Sequence, residues 1–250
     1  MSRVLQFGIL LAYTLSSFAL TLHVKAGPDG RTAGDCPFAH ALQLMLRTKG
    51  VAFELVPHAP DKKPEWLVAE YDGKMPCLVR EADGAVVTES RTIASWIEDN
   101  YPAPSTMGDE FPGLDAAEAA AKPVFGSFAR YCKCTSDSPE EQDELKKSLL
   151  LSLCTLDAHL AKEAAPYAAG RRMSVCDCFL LPALHHVTHA GAAFKDFVVP
   201  PQFDSLHAYL DRGFGTEAFV STAPAPAMVR WGWANARGDL IAAAEEAKAC

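Results

Sequence analysis

Over the first hundred residues the apolar positions switch between a two-residue and a 3.6-residue period. In LTLHVKAG, Leu20, Leu22 and Val24 alternate with Thr21, His23 and Lys25, which predicts a half-buried strand over 21–27 and its flank. A loop containing GPDG follows. From Cys36 onward Phe38, Leu42, Met45 and Leu46 fall at helical spacing, with Arg47 and Lys49 in the last turn and Gly50 as the stop. AFELVPH predicts a second strand, DKKPEW leads into a short helix, and PCLVRE and AVVTES around Asp83-Gly84 predict a hairpin. SRTIASWIEDNYP gives a further helix, closed by Pro102.

Beyond this point the pattern turns helical throughout. PAPSTMGDEFPG has the composition of a linker, and KPVFGSFARYCK predicts a helix. In EEQDELKKSLLLSLCTLDAHLAKE, Leu145, Leu149, Leu153, Leu156 and Leu160 form a one-sided stripe. After APYAAG, Ser174 stands three residues before Asp177 and Met173 five before Cys178. That is a capping box with a hydrophobic staple, starting a helix through CDCFLLPALHHVTHAG. Helices around FDSLHAYLDRGF and near the C-terminus complete the series. The order β-α-β-α-β-β-α with a helix-start cysteine predicts a thioredoxin-like α/β domain over about 19–102. An all-α domain over about 105–245 follows, with the active site in the cleft between them.

Composition adds limits. With 49% hydrophobic and 22% charged residues in 250, the chain is an ordinary globular one. A net charge of −8, with no basic face in either half, argues against a nucleic-acid partner. The eight cysteines form no paired CxxC clusters, so neither a metal site nor a disulfide framework is expected. Residues 1–18, with Arg3 and the apolar FGILLAYTLSSFAL, read as a targeting leader that is removed; a mistaken start or an ordered first strand is the plain alternative. The expectation is a soluble monomer of the cytoplasm or an organelle. The apolar N-terminus keeps a membrane-inserting form open.

The chemistry concentrates at Asp35-Cys36-Pro37-Phe38. A cysteine in the first turn of a helix points its sulfur at unpaired backbone N–H groups and the positive helix end, both of which favour thiolate. Pro37 suits the first helical position, where its missing N–H costs nothing. Ala39 stands where a CxxC would place a resolving cysteine, so a mixed disulfide on Cys36 must be resolved by an outside thiol. At Lys74-Met75-Pro76, a proline just before the third strand is where thioredoxin-like folds keep a cis peptide that frees the Met75 backbone to pair with a peptide. At the strand-to-helix junction Glu89-Ser90, the hydroxyl and helix N–H groups suit a carboxylate and Glu89 suits an ammonium, the pair that a γ-glutamyl group carries on one carbon. An inert helix cysteine, a trans strand-initiating proline and a plain N-cap serine are the bland readings of the same three features.

Together with LHVKAG, GDCPF, DKKPEW, GKMP, TES, VFGSFARYCK, APYAAG and SVCDCFLLPALHHV, these residues resemble plant-type dehydroascorbate reductases of the glutathione transferase superfamily. Chloride intracellular channel proteins and omega-class glutathione transferases are close relatives. The resemblance covers about 21–240 and implies the glutathione-transferase fold and reduction of dehydroascorbate, with glutathione as co-substrate and no metal. It makes Cys36 the nucleophile that forms a sulfenate and then a glutathione mixed disulfide. It places Lys25 and Asp35 against ascorbate or dehydroascorbate, and Lys63, Met75, Pro76, Glu89 and Ser90 against glutathione. Lys25 and the helix end would also lower the Cys36 pKa, together outweighing Asp35. Glu89-Ser90-Arg91 departs from the family's frequent Asp-Ser-Asp, and LHVKAGPDG and CDCFLLPALHHV look as much like the channel relatives. Asp35, Lys63-Pro64-Glu65-Trp66, the short segment before Ser174 and RWGWA favour the reductase. A channel-like module and a conjugating or omega-class transferase remain the rivals. His185 and His189, Cys132 and Cys134, Cys176 and Cys178, and Trp231 and Trp233 read as structural.

Overall fold

The structure, a computed structural model, describes residues 19–239. The leader expected over 1–18 and the last part of the expected helical domain, 240–245, lie outside the described residues. Strand β1 (Leu20–Lys25) forms where sequence alternation is strict, and Leu20, Leu22 and Val24 are buried on one face. It pairs in parallel with β2 (Glu54–His58), placing Lys25 opposite His58, and antiparallel with β3 (Cys77–Arg80). The hairpin turn at Asp83-Gly84 continues into β4 (Ala85–Thr88), and the sheet order is β2-β1-β3-β4. Gly84 takes φ +69, which suits the residue without a Cβ.

Helix α1 (Pro37–Thr48) is buried continuously from Ala39 to Leu46. The reason is its position: it packs on α3 (Ser90–Asn100) and on α6 (Val175–Lys195) of the second domain. Helix α2 (Glu65–Tyr71) buries Leu67 and sets the Trp66 ring against His23.

The rest of the described chain is helical: α4 (Leu114–Lys133), α5 (Pro139–Glu163), α6 (Val175–Lys195), α7 (Asp204–Phe214), α8 (Glu217–Val220) and α9 (Pro226–Arg237). Helix α4 starts well before the KPVF segment that predicts it and runs through Pro123. The buried series Ala117, Ala120, Val124 and Phe128 continues across the proline, so packing outweighs the lost N–H bond. On α5, Leu149, Leu153, Leu156 and Leu160 are buried as the stripe predicts, and Leu145 packs half-buried against the same core. Each fully buried leucine is worth roughly 1.5–3 kcal/mol. The capping box at α6 forms: Ser174 Oγ accepts from the Asp177 amide at 3.4 Å, and Asp177 Oδ2 accepts from the Ser174 amide at 2.8 Å. The four-residue α8 carries no periodic signal and was not expected. A thioredoxin-like domain followed by an all-helical one is the architecture, and it sets the N-terminus of α1 beside α4, α6 and α9.

Candidate active site

Cys36 caps the N-terminus of α1 and is half-buried, with Pro37 in the first turn. Its position follows from a tight return of the chain. Gly34 donates its amide to the Lys25 carbonyl at 2.7 Å, and a Cβ there would lie 2.9 Å from that oxygen, so glycine permits the approach. The return brings Asp35 and Cys36 back to the end of β1, where Lys25 Nζ lies 3.8 Å from Asp35 Oδ1.

One cleft opens at the sulfur and a second adjoins it, both lined by residues of the first domain rather than by the two domains together. A cleft of about 260 Å³ is lined by Lys25, Cys36, His58, Lys63, Met75 and Pro76 among others. Its neighbour, of about 320 Å³, shares Met75 and Pro76 and adds Phe38, Lys74, Glu89 and Ser90. The Met75–Pro76 bond is cis. Lys63 Nζ is tied to the Gly73 carbonyl at 2.8 Å. Glu89 caps α3 at φ +67, a strained backbone for a residue with a Cβ that costs about 1–3 kcal/mol. Seven of the eight predicted residues thus line one or other cleft. The exception, Asp35, is tucked behind Lys25 against α9.

The electrostatics correct one expectation. Cys36 is not depressed: burial pushes its thiol above the usual value, the Ala39 and Phe38 amides pull it down, Asp35 adds to the rise and Lys25 opposes it. The helix end and the lysine therefore do not outweigh burial in this structure. Burial also raises Asp35 against the pull of Lys25. His58 and His23 meet ring to ring at 2.8 Å, and burial, with His58 beside it, pushes His23 down to about 4.

Several site residues escaped sequence reasoning. Lys74 faces Glu89 at 3.4 Å, an ion pair on the carboxylate. His58 is placed by its strand register opposite Lys25, a signal available only once the strand pairing is known. Trp231 sets its ring under Lys25 Nζ, 5.4 Å from centroid to nitrogen. Trp233 packs against Phe125 and Phe128, as a structural tryptophan should, and its indole N–H donates to His186 Nδ1 at 2.7 Å. His185 donates from Nε2 to the Pro224 carbonyl at 2.9 Å, in keeping with a structural histidine. Cys77, Cys132, Cys176 and Cys178 are buried thiols, Cys134 is half-buried and Cys154 is exposed. Among the described residues no group of three or more His, Cys, Asp or Glu is arranged to hold a metal.

Comparison with known proteins agrees with this geometry. Residues 35–100 match the family model for the glutathione S-transferase N-terminal domain. The chain is 33% identical over 208 residues to the probable cytosolic glutathione S-transferase DHAR1 of Oryza sativa subsp. japonica, covering 83% of this chain and 92% of the relative. The crystal structure of Chlamydomonas reinhardtii dehydroascorbate reductase superposes with a TM-score of 0.75 at 25% identity, over 88% of this chain and 99% of that one. The chloride intracellular channel homologue EXC-4 of C. elegans superposes with a TM-score of 0.74 over 86% of this chain and 85% of its own, and at 21% identity it shows the fold alone.

Proposed function

This chain belongs to the dehydroascorbate reductase family of the glutathione S-transferases, and from that premise we propose that it reduces dehydroascorbate with glutathione through Cys36. The observation that carries the reading is the meeting of Cys36, Lys25, Lys63, Met75 and cis Pro76 in one cleft.

The Cys36 thiolate reduces dehydroascorbate by two electrons. Water supplies the oxygen and the proton of a sulfenic acid on Cys36, and its second proton leaves on the ascorbate monoanion. One glutathione condenses with the sulfenic acid, releasing water and forming the mixed disulfide. A second glutathione thiolate attacks that disulfide, freeing Cys36 and glutathione disulfide. Ala39 in place of a second cysteine fits resolution by an outside thiol. Lys25 and Asp35 would receive dehydroascorbate, with the lysine favouring the thiolate. Met75 would pair its backbone with the cysteinyl part of glutathione, Lys63 would meet the glycyl carboxylate, and Ser90 and Glu89 would hold the γ-glutamyl end. For Glu89 this requires exchange of Lys74 for the ligand ammonium. The glutathione domain spans about 19–102 and the helical domain about 105–245 on this reading.

No helix among the described residues is long and apolar enough to cross a membrane. The enzyme is proposed to act as a soluble monomer in the cytoplasm or an organelle. The test is glutathione oxidation by the purified protein with and without dehydroascorbate. One ascorbate per glutathione disulfide is expected, and activity confined to aryl halide conjugation would replace reductase with transferase.

A further inference from the structure

Helix α9 meets the β1–α1 loop along one face, through residues at positions i, i+3 and i+4. Met228 packs on Gly27, where a Cβ would collide with its thioether. Trp231 lies under the Lys25 ammonium at 5.4 Å. Gly232 presses its backbone on Asp35, and a Cβ at 232 would overlap the carboxylate. Another face of the helix, carrying Val229 and Trp233, is buried in the second domain, so its position is fixed from behind. The loop is therefore held at Gly27 and at both members of the Lys25–Asp35 pair.

We propose that Trp231 is a positioning residue for this reaction: its ring holds the Lys25 ammonium inside the cleft, between Asp35 and Cys36. The inference rests on the reductase reading only for its kinetic consequence. Lys25 is the last residue of β1 and its side chain is 39% exposed, so the four-carbon stem is otherwise free to swing into water. At 3.8 Å, Asp35 alone holds it loosely. The other charged or titratable groups lining this cleft are Cys36, Lys63 and His58; the thiol, raised by burial, attracts the ammonium only once ionised, a lysine repels it, and a neutral imidazole offers it little. That leaves the indole face as the remaining attraction. Lys25 opposes the rise of the Cys36 thiol, whereas Asp35 adds to it. Keeping the ammonium near both decides how far the carboxylate's repulsion is cancelled.

The experiment follows the rate of Cys36 alkylation by iodoacetamide against pH in the full-length protein, read by mass spectrometry of the Cys36 peptide. Trp231→Leu should lower the neutral-pH rate roughly three- to tenfold and move the profile to higher pH, because one cation–π contact is worth about that factor. Trp231→Met keeps apolar bulk and helix propensity without a ring, and should behave the same way if the leucine variant folds poorly. Trp231→Phe restores a ring face and should recover most of the loss. In turnover, kcat/KM for dehydroascorbate should fall in parallel while KM for glutathione stays put. Wild-type alkylation profiles in both ringless variants would overturn the inference and leave Trp231 as packing. Alkylation needs no substrate, so a wild-type protein that fails to reduce dehydroascorbate would sink the functional reading and leave this result standing.

Discussion

Lys49 Nζ lies 2.8 Å from Glu98 Oε2 and 2.7 Å from the Pro104 carbonyl, with its side chain fully buried. Glu98 in turn accepts from Ser105 Oγ at 2.7 Å and from the Thr106 hydroxyl at 2.8 Å. One ion pair thereby ties the end of α1 to α3 and to the segment leading into the second domain.

Lys49→Met should therefore destabilise the fold by about 3 kcal/mol, the low end for breaking a buried pair, because Ser105 and Thr106 still serve the carboxylate. Burial pushes Glu98 up, but the bonds from Lys49, Ser105 and Thr106 outweigh it and hold the group below the usual range. A depressed carboxylate stabilises above its unfolded value of 4.5 and loses that contribution as pH falls through the folded one. Urea melts at pH 7 measure the loss; an unchanged midpoint would show the pair to be energetically idle.

Asp177 is the corresponding anchor of the second domain. It accepts from Ser174, from the Ala168 amide at 2.8 Å and from the Tyr209 hydroxyl at 2.8 Å, all buried. Asp177→Ala should cost at least about 3 kcal/mol, since the N-cap and two further buried donors lose their acceptor. Thermal unfolding tests this, and a loss under 1 kcal/mol (~) would place the stability of α6 in its apolar face instead.

At the thiol, replacement of Cys36 by serine should abolish dehydroascorbate-dependent glutathione oxidation, because a hydroxyl forms no mixed disulfide. Serine at Cys134 or Cys154 should leave it largely intact. The neighbours give opposite signs: Asp35→Asn should shift Cys36 alkylation to lower pH, and Lys25→Met to higher pH, following their opposite effects on the thiol. Shifts of the same sign in both variants would show that conformation, not charge, governs the sulfur.

What was legible in the sequence was local. The alternation of β1, the Cys36-Pro37 helix start, the cis bond at Pro76 and the Ser174–Asp177 box are each decided within a few residues. The contacts of α9 were not, because Gly232 and Asp35 touch across almost the whole described chain, and nothing in RWGWA says which backbone it will meet. The direction of the Cys36 shift failed for a related reason. Helix-end and lysine effects can be named from the sequence, whereas burial depends on how the folded chain packs around the thiol. Helix α8, at four residues, is shorter than any periodicity can reveal.

The second domain also buries histidines against α1, and their titration should dominate the mild-acid range. Burial pushes His186 down to about 3 and His185 down to about 4, and it pushes His40 well down, with His185 and His186 adding to the effect on His40. Unfolded, each takes a proton near pH 6.5; folded, each stays neutral until far lower. The unfolded state thus binds more protons below 6.5, and stability falls with pH by up to about 1.4 kcal/mol per unit for each group. Asp35 and Asp177, raised by burial, act in the opposite sense, so the histidine share must be read from a variant. His40 is the choice, since neither ring nitrogen meets a hydrogen-bond partner among the described residues and its neighbours are the rings of Phe219 and His185. His40→Leu should be neutral or stabilising at pH 7, because no bond is lost and a buried polar group is removed. Between pH 6.5 and 5 its urea midpoint should fall less steeply than that of the wild type. Parallel slopes would mean that His40 gains a proton in the folded protein as readily as in the unfolded chain, and the acid limb would have to be assigned elsewhere.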